Sequence, residues 1–98
     1  MADITIEATG TSNAFTVLGD GFDIGLTMTG SNSVTIERQL GAAWYTVGSA
    51  VTSTGTVSVA TYEKPAKFRL NCGTFDTADI TGFIGGNVIG GPVLIEAA

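Results

Sequence analysis

Apolar side chains recur at every second position along much of this chain. Phe22, Ile24, Leu26 and Met28 alternate with Asp23, Gly25 and Thr27, and Val34, Ile36 and Arg38 alternate with Thr35, Glu37 and Gln39. Phe68, Leu70 and Cys72 repeat the rhythm against Arg69 and Asn71. A period of two turns one set of side chains toward a core and the other toward solvent, which is the geometry of a half-buried strand. A helix needs a period of 3.6, and no window of comparable length carries one.

Turn signals separate the runs. Gly30-Ser31-Asn32-Ser33 lies between the first two and suits an antiparallel hairpin; Gly41-Ala42-Ala43 precedes Trp44-Tyr45-Thr46-Val47. Ser53-Thr54-Gly55 leads into a strand over 56–62, and Glu63-Lys64-Pro65 makes a corner, since proline lacks the amide a central strand needs. Shorter apolar runs at 4–8, 15–18 and 80–84 bring the reading to about eight or nine short strands, with the brief pieces 88–89 and 93–95 following glycine turns. Many short strands at intervals of about 8–12 residues predict an all-β chain folded as an antiparallel β-sandwich. Immunoglobulin-like and jelly-roll topologies both remain open. With 98 residues the chain reads as one domain, 1–98, from which residues 1–20 and 85–98 are expected to extend as arms.

Composition narrows the chemistry. There is no histidine, so the commonest general base, proton shuttle and metal ligand is missing, and neither a Ser-His-Asp nor a Cys-His arrangement can form within one chain. One cysteine, Cys72, excludes an intrachain disulfide and cannot supply a zinc site; at a strand end it reads as a buried structural thiol. Asp20 with Asp23, and Asp76 with Asp79, could each contribute to a calcium site, but neither fits the calcium-loop motif and aspartate is common in turns. The expectation is no catalytic, cofactor-binding or metal-binding residues, and no enzyme.

Partners are bounded in the same way. The net charge is −5, and the four basic residues are Arg38, Lys64, Lys67 and Arg69. Phosphate binding needs clustered lysine and arginine, so no nucleic-acid partner is expected, and the basic stretch 64–69 reads as a strand edge guarded by charge. The most apolar stretch, 80–95, is broken by glycines, Asn87 and Pro92 and is shorter than the roughly 20 residues of a spanning helix, so no membrane association is expected. The start of the chain lacks the pattern of a targeting segment, which gives the expectation of a soluble protein. Trp44 is expected to anchor the core.

The glycine-rich segment 82–91 lacks the ending of a phosphate loop. Two readings stand. One is a last hairpin joined by permissive glycine turns. In the other, Phe83, Ile84, Val88 and Ile89 exceed what such a hairpin must bury and mark a subunit contact.

Phe22-Asp23-Ile24-Gly25-Leu26-Thr27-Met28-Thr29-Gly30, Ser33-Val34-Thr35-Ile36-Glu37-Arg38-Gln39, Trp44-Tyr45-Thr46-Val47 and Ala66-Lys67-Phe68-Arg69-Leu70-Asn71-Cys72 together form a recognisable pattern. It resembles a family of small tailed-bacteriophage virion proteins over residues 22–84, and the spacing of Arg38, Trp44 and Phe68-Arg69 is its most specific part. The chain departs from the family where Leu40-Gly41-Ala42-Ala43 replaces an Asp-Gly-Gly-type turn and Phe68 replaces a tyrosine. The resemblance implies a structural protein of the virion, made in the host cytoplasm and placed on the capsid surface. The role expected is a decoration (cement) protein, a dimer or trimer, that binds the major capsid protein and stabilises the head by bridging its subunits. It carries over no ligand or catalytic residues. The alternatives are a tail or neck module, and a carbohydrate-binding module for host attachment that stacks sugars on Trp44, Tyr45 or Tyr62.

Overall fold

The alternating runs become strands, and their buried sides face one another. The computed structural model describes residues 2–61 and 63–97. Its elements are β1 (Ala2–Ile6), β2 (Gly10–Thr11), β3 (Phe15–Val17), β4 (Gly21–Thr27), β5 (Ser33–Leu40), β6 (Ala43–Val51), β7 (Gly55–Ala60), β8 (Ala66–Thr74), β9 (Ile80–Gly85), β10 (Val88–Ile89) and β11 (Val93–Ile95). The first sheet has the order β11-β1-β9-β4-β7; the second has β10-β3-β8-β5-β6, with β2 also on β8. The chain is all-β and sandwich-like, as the alternation predicts. Eleven strands replace eight or nine, because pieces such as Gly10–Thr11 are too short to carry a period. Pairing is antiparallel except between β1 and β11, which run parallel. Among the described residues no helix is long and apolar enough to cross a membrane.

Each sheet turns its apolar side inward. Ile24 and Leu26 of β4, Ile4 and Ile6 of β1, and Ile80 and Ile84 of β9 meet Val34 and Ile36 of β5, Phe68, Leu70 and Cys72 of β8, and Phe15 and Val17 of β3 in one core. Cys72 is buried, as expected of a structural thiol, and burial pushes its pKa up.

Two expectations about connection are corrected. Residues 30–33 do not make a hairpin, because β4 lies in the first sheet and β5 in the second. Both strands bury one apolar face, so the chain gains more by arching across the core than by pairing them side by side. Asp76 fixes the arch. Its carboxylate accepts a hydrogen bond from the Ser31 amide at 2.9 Å, and its own amide donates to Asn32 Oδ1 at 2.9 Å. Gly30, at φ +83°, leaves room for that carboxylate, which a Cβ would meet at 2.0 Å. Likewise β9 and β10 sit in different sheets, so the segment 82–91 is a crossing and not a last hairpin.

The ends are not arms. In the described residues β1 lies between β11 and β9, and β3 lies between β10 and β8. Ile4, Ile6, Val93 and Ile95 alternate inward and are buried, so both ends supply core side chains. The basic stretch is corrected too: β8 is an interior strand, and Lys67 and Arg69 stand on its outer face rather than guarding an edge.

Because the ends carry core residues, Ile6→Ala should lower the unfolding free energy by about 2–5 kcal/mol, and deletion of residues 93–98 should abolish cooperative unfolding. Chemical denaturation followed by far-UV circular dichroism checks both. A truncated chain that unfolds like the full one would contradict this placement of β11.

Candidate interaction surface

Of the four apolar residues expected to form a contact, the structure leaves two outside. Ile84 is fully buried in the core, and Val88 packs against it half-buried. Phe83 and Ile89 are exposed, at 57% and 56%. They do not form one patch. Phe83 stands on the outer face of the first sheet, paired across to Asp3 and Gly25. Ile89 stands on the outer face of the second sheet, opposite Thr16, with exposed Leu18 just beyond β3 on the same side by alternation. A shallow depression of about 300 Å³ beside Phe83 is lined by Gly25, Thr27, Gly55, Thr56 and Thr81 and holds no charged side chain.

Trp44 is not a core residue, contrary to expectation. By register with Gln39 it lies on the outer face of β6, half-buried, while Tyr45 on the alternate face is 54% exposed. The Arg69 guanidinium covers the indole ring at 4.3 Å from its centroid. Arg69 Nε donates to Glu37 Oε1 at 2.7 Å, and Asn71 Nδ2 donates to Glu37 Oε2 at 3.2 Å. Burial would raise the Glu37 pKa, but the hydrogen bonds from Arg69 and Asn71 and the guanidinium charge outweigh it and hold the carboxyl below its ordinary value. On the other face of the same strands, Arg38 lies over the Phe68 ring at 6.0 Å. The residues whose spacing is most specific in the sequence therefore lock β5, β6 and β8 together from both faces. Tyr62 lies outside the described residues.

Three of the four paired aspartates bond to groups within the fold. Asp20 pairs with Lys64, whose hydrogen bond and charge lower the Asp20 pKa, and Asp23 accepts from Ser58 Oγ at 2.5 Å. Asp76 holds the arch. Among the described residues no three His, Cys, Asp or Glu side chains gather as a metal site would require.

The two sides of the sandwich differ in how their sheet edges end. On one side the edge strands are β10 and β11, two and three residues long, separated by Gly90-Gly91-Pro92. There Asn13 acts as a plug: Oδ1 accepts from the outward Leu94 amide at 2.9 Å, while Nδ2 donates to the carbonyls of Gly90 and Pro92. Short strands, proline and side-chain caps are the usual means of closing an edge. On the other side the edges are β6 and β7, nine and six residues long. Residues 40–61 contain no Asp, Glu, Lys or Arg. That charge gap is visible in the sequence and marks the bare edge, which the apolar segment 82–91 does not.

The Glu37–Arg69 pair generates a pH prediction. Its folded pKa is depressed, so its stabilisation is complete above the unfolded carboxyl value near 4.5 and is lost as pH falls through the folded value. Glu37→Gln should therefore destabilise the protein by about 1–3 kcal/mol at pH 7, with the difference from wild type shrinking below pH 4. Denaturant midpoints at pH 7 and pH 3 check it, and an equal deficit at both would contradict it.

The chain matches no protein-family model, no curated protein and no solved structure.

Proposed function

We propose that this protein is a structural component of a phage virion, a decoration protein that docks on the head and bridges neighbouring major capsid subunits. The observation that carries the reading is the disposition of its exposed apolar side chains. Phe83 faces out from one sheet, and Ile89 with Leu18 faces out from the other. A bridge has to touch two neighbours at once, and contacts on opposite faces of a rigid two-layer body do that where a single patch cannot.

The scaffold suits the task. Its core is continuous from β11 to β7 and draws on both ends of the chain. A net charge of −5 keeps the free protein from aggregating before it reaches a shell. Many copies on a repetitive lattice gain avidity from contacts that are individually weak. A sugar-stacking role finds less support, because the Arg69 guanidinium already covers the Trp44 ring and the polar groups beside it are bonded to one another.

The test mixes purified protein with undecorated phage heads, pellets the heads and counts bound copies. Saturation at a fixed number of copies per head is the expected result. Phe83→Ser and Ile89→Ser, both at exposed positions, should each reduce occupancy at least about tenfold while leaving the unfolding midpoint unchanged, since a lost apolar anchor of about 1.5 kcal/mol corresponds to that factor. Wild-type protein that stays in the supernatant at every ratio would overturn the proposal.

A further inference from the structure

The free edge of β6 has a definite hydrogen-bonding pattern. Gly41-Ala42 is a two-residue hairpin turn with positive φ at Gly41, so the flanking Leu40–Ala43 pair is the hydrogen-bonded one. Bonding then alternates. The backbones of Ala43, Tyr45 and Val47 point toward β5, and those of Trp44 and Thr46 point away from the sheet. The other end of the sheet gives the same answer. Leu70 uses both its amide and its carbonyl on Ser12, so Arg69 faces β5, Glu37 faces β8, and Arg38 faces Tyr45.

The usable edge is short and bounded. The hairpin turn ends it before Ala43. Beyond Val47, β6 bulges: Gly48-Ser49-Ala50 stand opposite Thr35 alone between the Ile36–Val47 and Val34–Val51 pairs. A straight run of 43–47 remains, Ala-Trp-Tyr-Thr-Val, rich in the residues strands prefer and without a charge to repel a neighbour. A partner for such an edge is an extended, uncharged strand of about the same length.

We infer that this partner is a second copy of the chain, with β6 pairing antiparallel to its own counterpart about a two-fold axis at Tyr45. This register is the one that uses the whole straight run. It places Trp44 opposite Thr46 of the second copy, and Thr46 opposite Trp44, so that all four outward backbone groups of each protomer are satisfied. Tyr45 faces Tyr45 at a non-hydrogen-bonded position, where side chains approach closest. The two second sheets become one continuous sheet with an isologous contact. The isologous contact uses both β6 edges and the Asn13-plugged side stays closed, so the second sheet grows no further than the dimer. The inference deepens the decoration reading by naming the oligomer, but free protein can decide it without a head present.

A five-residue ladder buries less than the roughly 800 Å² per partner of a stable interface, so the association belongs in the micromolar range or weaker. Sedimentation velocity over about 5–500 μM tests it on the full chain. Wild type should shift from monomer to dimer across that range. Thr46→Pro removes an outward amide that β5 does not use, so the fold is kept while one hydrogen bond per protomer is lost. Its dimer should be at least about tenfold weaker. Tyr45→Cys should give a disulfide-linked dimer on oxidation, whereas Ser49→Cys, exposed on the bulge, should not.

A wild type that stays monomeric at the highest concentration, with Tyr45→Cys uncrosslinked, overturns the inference. So does a dimer indifferent to Thr46→Pro. A monomeric wild type whose binding to heads is nevertheless lost in Thr46→Pro would give the edge to a strand of the capsid instead, leaving the decoration reading intact while ending this one.

Discussion

Three phenylalanine rings hold the two sheets together, and the rest of the molecule is arranged around them. Phe15 and Phe68 come from neighbouring strands of the second sheet and stack at 6.1 Å. Phe22 comes from the first sheet and meets them edge-on at 5.6 and 4.7 Å. Each buried ring contributes about 1.5–3 kcal/mol by leaving water, and the isoleucines and valines pack outward from the cluster. With no disulfide possible in the chain, this packing carries the stability. It also explains why the ends are woven in: a core of this size cannot spare Ile4, Ile6, Val93 and Ile95.

Closing the core this way leaves the surface uneven. One side is sealed by short strands, Pro92 and the Asn13 plug, and the outer face of the second sheet is tied down by Trp44, Arg69, Glu37 and Asn71. The opposite side presents long strands and a stretch without charge. The two sides are therefore guarded unequally, and the bare one is where the proposed self-pairing takes place. Phe83 and Ile89 are exposed on the outer faces, where the proposed docking on the head would use them. Self-pairing through β6 and docking through the faces are compatible, because they use different atoms.

The alternation at Phe22, Ile24, Leu26 and Met28 made the fold class legible, since a period of two has a single structural meaning. What it could not reveal was which strands share a sheet. A four-residue connection with glycine serves a hairpin or an arch equally well, and Asp76, distant in sequence, decides between them at residues 30–33. Trp44 reads as core in the sequence because a lone tryptophan usually is; the deciding partner, Arg69, lies two strands away through β5. Which of the apolar residues in 82–91 are exposed is half legible for a similar reason. Alternation separates Phe83 from Ile84, but whether Ile84 meets a core depends on β1 and β4 packing beside it.

The proposed self-pairing requires that β6 have an open edge that takes up another strand. Amide hydrogen exchange, resolved residue by residue by NMR, addresses this directly. In dilute protein the amides of Trp44 and Thr46 should exchange freely while those of Tyr45 and Val47 are protected by β5. As the concentration is raised, Trp44 and Thr46 alone should gain protection. Trp44 and Thr46 amides already protected in dilute solution, or unprotected at every concentration, would contradict it.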